Sequence, residues 1–180
     1  MPGTPPDVIG TMTHIHSFPP ISNASARRLI LGSMPGHASL AAGQYYAHPR
    51  NYFWHVMSLI LDVPAESPYE VRCEALASRG IAVWDVLKSC TRSSSLDSDI
   101  VESSIVPNDF ESFLRSHPGI EAIFFNGAKA ETIYLRHVKP RLPVDLADIR
   151  AVRLPSTSPA NASVPLSAKL TQWRAITYDA

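Results

Sequence analysis

Apolar residues along this chain of 180 residues switch between two spacings, and the switches mark its elements. Arg27 to Ser33 (RRLILGS) is a short unbroken apolar run ending in glycine, which predicts a buried strand in a parallel sheet. From Asn51 to Asp62 the apolar positions Phe53, Val56, Met57 and Ile60 recur at three and four, which predicts a helix. Ser67-Pro68-Tyr69-Glu70 reads as a capping box with proline at the first helical position. The helix it opens should run to about Arg79 and stop at Gly80. Ile81 to Asp85 is the second strand. Residues 88–104 are Ser-rich with both charge signs and read as a long loop. Asn108 to Ser116 forms a short helix with Phe110, Phe113 and Leu114 on one face. Glu121 to Phe125 is the third strand, Asn126-Gly127 a turn, and Ala128 to Val138 a helix. Arg150 to Leu154 is the fourth strand, and Ser163 to Tyr178 the last helix, with Leu166, Leu170, Trp173 and Ile176 or Thr177 inward.

Strands alternating with helices predict an α/β layer structure on a mainly parallel sheet with right-handed crossovers. Ligands of such folds bind outside the carboxyl ends of the strands. Here those ends carry Gly32 to Gly36, Asp85, Asn126-Gly127 and Pro155 to Ser158, all glycine, proline or polar apart from Met34. Residues 1–26 are rich in Pro, Thr, Ser and His without periodicity. They predict a flexible arm ahead of a single domain spanning 27–180, with Ser17 to Ile21 as the arm's one apolar knot.

Composition narrows the classes. With 45% hydrophobic and 18% charged residues, the chain is an ordinary globular one. Zero formal net charge excludes a uniformly basic coat but not a local phosphate-binding patch. No apolar run reaches the roughly 18 to 20 residues a membrane span needs, and the start lacks a signal-peptide pattern, so the expected setting is the cytoplasm, with no membrane partner. Two cysteines without a CxxC exclude a disulfide framework and Cys-rich metal or iron–sulfur sites. His14 and His16 read as a solvated pair without further ligands.

The chemistry gathers in Leu29 to Trp54 and in Leu154 to Asn161 (LPSTSPAN). The turn Gly32-Ser33-Met34-Pro35-Gly36 allows close backbone approach to a ligand, yet it lacks the P-loop, dinucleotide and nucleophile-elbow patterns. Phe53 and Trp54 suit core packing, whereas Tyr46 lies in a loop among small residues and suits stacking on a flat ring. Asn51 fits a helix cap or a holder of water or a substrate amide edge. Arg50 fits a phosphate contact or a solvated side chain. Ser156, Thr157 and Ser158 fit phosphate contacts or a capping turn.

Taken together, SFPP, LILGSMPG, YYAHPRNYFW, GIAVWDVLKSC, SLDSDI, FFNGAKA and LPSTSPANA resemble the uracil-DNA glycosylase superfamily. Within it, they are most similar to the hypoxanthine-DNA (deoxyinosine) glycosylase branch, over about residues 17 to 178. The resemblance implies a three-layer α/β/α sandwich around a four-stranded parallel sheet. It implies hydrolysis, with no metal and no cofactor, of the N-glycosidic bond of a damaged base in DNA; the chain is expected to act as a monomer. In the mismatch-specific uracil/thymine branch the first motif is GINPG and its Asn positions the attacking water; here GSMPG puts Met34 in that place. The hypoxanthine branch implies that the catalytic amide is Asn51. The resemblance further implies that Tyr46 stacks on the base and that Ser33, Met34, Asp85 and Asn126 read it. Ser156, Thr157 and Ser158 are implied at the DNA phosphates, and Arg50, Pro159 and Asn161 are expected on the DNA beside them. The expectation is a monofunctional glycosylase for a deaminated base, with hypoxanthine foremost. Uracil, xanthine or mismatch substrates, or a catalytically inactive nucleic-acid-binding module, are the alternatives.

Overall fold

The computed structural model describes residues 11–177. In chain order its strands and helices are β1 (Thr13–His16), β2 (Arg28–Gly32), α1 (His37–Ala42), α2 (Phe53–Leu61), α3 (Tyr69–Ser78), β3 (Ile81–Asp85), β4 (Leu87–Arg92), β5 (Val106–Pro107), α4 (Phe110–Ser116), β6 (Ala122–Asn126), α5 (Ala128–His137), α6 (Val144–Ala147), β7 (Arg150–Leu154) and α7 (Leu166–Trp173). A four-stranded parallel sheet runs β3-β2-β6-β7. The four strands foreseen from the apolar runs are these four.

The side-chain alternation of the strands builds two cores. Leu29, Leu31, Ala82, Trp84, Ile123 and Phe125 face α4 and α5, whose Phe110, Phe113, Leu114, Ile133 and Tyr134 complete one layer. Ile30, Ile81, Val83 and Phe124 face the other way, onto Phe53, Val56 and Met57 of α2, Leu76 of α3 and Trp173 of α7. The result is the α/β/α sandwich the sequence predicts.

Register brings the strand ends to one edge. Gly32 pairs with Asp85 across β2 and β3, and Asn126 pairs with Leu154 across β6 and β7. Gly127, at φ 95°, turns the chain from β6 into α5. A Cβ there would sit 2.9 Å from Ser156 Cβ, so glycine lets the loop after β7 close against the end of β6.

Three expectations are corrected. Among the described residues, the segment 11–26 is part of the body and not a loose arm; residues 1–10 lie outside the described residues. β1 pairs antiparallel with β4, with Ile15 opposite Cys90. Farther on, the Phe18 carbonyl oxygen accepts hydrogen bonds from Tyr45 Oη at 3.2 Å and Trp84 Nε1 at 3.2 Å. Secondly, the loop expected over 88–104 begins with β4, the middle strand of a second sheet ordered β1-β4-β5. Its composition hides the strand, because the inward positions are Leu87, Ser89 and Cys90 with a buried Arg92. Thirdly, no side chain caps α3: Pro68 holds the cap position, and Ser67 offers its carbonyl oxygen to Arg72 Nε at 2.9 Å. No helix among the described residues is long and apolar enough to cross a membrane.

If β1 belongs to the body, Ile15→Ala will lower unfolding free energy by about 2 kcal/mol in urea denaturation. An arm that contributed nothing would leave the midpoint in place.

Candidate active site

The loops after β2, β4, β6 and β7, with Asp85 at the end of β3, line one cleft of about 780 Å³. Its floor is Gly32, where a Cβ would fall 2.6 Å from Asp85 Oδ1 and 3.0 Å from Tyr46 Oη. Only glycine leaves room for both the carboxyl and the phenol over the strand end.

Asp85 is 3% exposed, and its Oδ2 has no hydrogen-bond partner among the described residues. Burial, reinforced by the nearby charge of Asp97 and only partly opposed by Arg92, pushes its carboxyl up to about 8. At neutral pH it is therefore largely an uncharged acid, able to donate as well as accept. Asp97 accepts a hydrogen bond from Ser33 Oγ at 2.7 Å, and burial raises its carboxyl too. Arg92 is 1% exposed and holds the glycine turn through Nη2 to the Pro35 carbonyl oxygen.

Tyr46 sits at φ 55°, the left-handed region that an aromatic residue rarely occupies and that costs on the order of 1–3 kcal/mol. Its ring stacks on Phe53, with centroids 4.0 Å apart and planes inclined by 22°. Phe53 is fully buried, so the core props one face of a ring that lines the cleft. Burial, followed by the nearness of Asp85, raises the Tyr46 phenol, which stays protonated.

Asn51 also lines the cleft. Its Oδ1 accepts the Phe53 amide N–H at 2.9 Å, so the capping role is real. That bond fixes which end of the amide is oxygen and locks its direction.

Asn126 and Thr157 form a two-point bridge. The Asn126 amide Nδ2 donates to Thr157 Oγ1 at 2.9 Å, and the Thr157 backbone N–H donates to Asn126 Oδ1 at 2.9 Å. Thr157, expected beside a phosphate, is 0% exposed and its groups serve this bridge instead. Its carbonyl oxygen accepts from Tyr52 N at 3.0 Å, next to Asn51. Ser158 Oγ accepts from Ala160 N at 3.2 Å and opens the single turn Pro159–Asn161. Ser156, Ser158, Pro159 and Asn161 line the cleft, as do Ser33 and the buried Met34. Arg50 is exposed and lies outside the lining.

Sequence reasoning missed the buried Arg92 and Lys169 and the half-buried Asp97. Asp97 lies in SLDSDI, which reads only as loop. Lys169 lies three residues after Leu166 and four before Trp173, on the inward face of α7, and that spacing was the available signal. Arg92 left no comparable mark.

A four-stranded parallel sheet with glycine, asparagine and serine loops gathered over one edge defines an α/β protein with a cleft at the carboxyl ends of its strands. The chain belongs to the uracil DNA glycosylase superfamily, whose family model matches residues 19–177. A protein named hypoxanthine DNA glycosylase from Methanosarcina barkeri is 37% identical over 114 residues, 63% of this chain and 71% of that protein. One of the same name from Methanosarcina acetivorans is 36% identical over 114 residues, with the same shares. A solution NMR structure from Methanosarcina acetivorans, of a protein provisionally named a uracil DNA glycosylase, superposes with a TM-score of 0.76. It is 30% identical, and the match covers 92% of this chain and 97% of that one. The enzyme class is thus DNA glycosylase and the substrate class DNA.

The Asp85 environment has a signed consequence. An unfolded aspartate titrates near 3.9, and the folded carboxyl near 8 holds its proton longer. Stability should therefore fall as pH rises from about 4 to about 8, by at most about 1.4 kcal/mol per unit from this group. Asp85→Asn should flatten that slope in urea melts at pH 5, 6.5 and 8. Parallel slopes for the two proteins would show that the folded carboxyl titrates normally.

Proposed function

We propose that the protein is a monofunctional DNA glycosylase that excises a deaminated base, hypoxanthine foremost, and leaves an abasic site. It acts in the cytoplasm as a monomer without a metal or cofactor. The observation that carries the reading is that Tyr46 and Asn51 both line the cleft and are both held by Phe53, the first propped on its ring and the second tied to its backbone N–H. The names of the two curated relatives support the choice of base.

In this reading the damaged nucleotide leaves the stack, at a cost of a few kcal/mol that is least for a poor pair. Its base lies against the open face of Tyr46. The uncharged Asp85 carboxyl offers one donor and one acceptor together, which complements the N1–H and O6 edge of hypoxanthine. The backbone around Ser33 and Met34 forms the floor, and Asn126 acts by holding Thr157 in place. Ser156, Ser158, Pro159 and Asn161, with Arg50 farther out, meet the DNA backbone.

Cleavage is dissociative, and positive charge grows on the sugar as the base departs. Asn51 holds the attacking water: its Oδ1 keeps a second lone pair beyond the Phe53 bond, and its Nδ2 supplies a donor. An amide is a poor proton acceptor, so Asn51 aims the water, and the developing cation makes water a sufficient nucleophile. Met34 cannot take this part, because a thioether accepts only weakly and donates nothing.

The test is a single-turnover panel of duplexes, each with one hypoxanthine, uracil, xanthine or mismatched thymine, read as alkali-sensitive strand breaks. Hypoxanthine should be excised fastest, and Asn51→Ala should slow it by about 10²-fold or more. Preference for uracil would overturn the substrate assignment. An unchanged Asn51→Ala rate would remove Asn51 from the chemistry, and tight binding without breaks would leave a binding module.

Tyr46→Ala should cost about 10-fold or more in excision, with base stacking worth about 1–3 kcal/mol. Its melting temperature should stay close to wild type, because Tyr46 is only partly buried against the core and alanine keeps the same left-handed backbone. A collapse in melting temperature would mark Tyr46 as a core residue instead.

A further inference from the structure

We infer that Lys169 is a positioning residue for DNA binding, a buried ammonium that shapes the turn from Ser156 to Asn161 and supplies its positive charge. The inference rests on the proposed contact of that turn with the DNA backbone.

Lys169 is 0% exposed, the one fully buried lysine among the described residues. Its Nζ donates to the carbonyl oxygen of Ser156 at 2.7 Å and to that of Asn161 at 2.7 Å. These two carbonyls stand at the two ends of the turn, so one ammonium gathers both. Two further bonds converge there: Asn161 Nδ2 reaches the Ser156 carbonyl oxygen at 3.1 Å, and Trp173 Nε1 reaches that of Pro155 at 2.9 Å. The Nζ also lies 6.0 Å from the Tyr52 ring centroid, beside Asn51.

A strut alone would need only a neutral donor. Burial lowers the Lys169 ammonium below the ordinary lysine range, so holding a charge here opposes solvation. No carboxylate pairs with it among the described residues. Its field therefore passes outward through the turn. The two carbonyls point their negative ends inward at the ammonium, which turns the positive ends of those peptide dipoles the other way. Ser156 to Asn161 contains no charged side chain, and the nearby Arg153 is paired with Glu131 at 3.2 Å. A turn of serines thus acquires a positive character suited to phosphate from a charge behind it.

The test binds wild type and variants to a duplex carrying a tetrahydrofuran abasic analogue, by fluorescence anisotropy across about 50 to 200 mM KCl. Single-turnover excision is measured in parallel against enzyme concentration. Lys169→Met should raise the dissociation constant and the half-saturating concentration by about 10-fold, leave the saturating rate within about threefold, and flatten the salt dependence. Lys169→Arg, which restores charge and donors, should return within about threefold of wild type. If Lys169→Met does not fold, Lys169→Gln is read in its place, with the same outcome expected. Unchanged binding in a folded variant overturns the inference. Weaker binding with the wild-type salt slope also overturns it, since that leaves only a strut. A wild type that excises no base from any duplex defeats the glycosylase reading instead, and the anisotropy arms still decide on Lys169.

Discussion

The bridge between Asn126 and Thr157 is the constraint on which the rest of the cleft depends. Two bonds of 2.9 Å join the end of β6 to the loop after β7. The same threonine accepts the Tyr52 amide through its carbonyl oxygen, and Tyr52 follows Asn51. Three segments distant in sequence are thereby fixed to one buried residue. Each buried polar group of the bridge has its partner, and losing either residue would strand the other's donor and acceptor, at about 1–3 kcal/mol per group.

The cleft sits on this frame as a set of compromises between stability and use. Asp85 is held away from water with one oxygen unpartnered among the described residues, Tyr46 occupies a backbone region unfavourable to it, and Lys169 carries charge in the interior. Each is unfavourable locally and tolerated because the two surrounding cores are extensive. Clusters of such local costs are typical where a fold arranges groups for a ligand.

Most of the sheet was legible because its strands are short apolar runs ending in glycine or a polar residue. RRLILGS, IAVWD and EAIFF could hardly be anything else. β1 and β4 were not, because THIH and LKSCTR are polar on their exposed sides and become strands only by pairing with each other. Within the site, Tyr46, Asn51 and Asp85 stand out by their setting at strand ends and before a helix. Asn51 fits both a cap and a water holder by sequence, and the geometry shows the first without removing the second. Sequence alone misplaces Thr157, because nothing in STSPAN separates a hydroxyl facing solvent from one facing inward. That difference depends on Asn126, some thirty residues earlier.

The placement of Lys169 and Trp173 bears on when the cleft comes into being. A ribosome makes Gly32, Tyr46, Asn51 and Asp85 early and the segment from Leu154 to Trp173 last. Domains take shape as they emerge, at about 5–20 residues per second. Until α7 is released, the Pro155, Ser156 and Asn161 carbonyls lack the Lys169 and Trp173 donors that gather them. The groups facing the base are thus translated well before the frame that aligns them, and a nascent chain carries the parts of the cleft without its geometry.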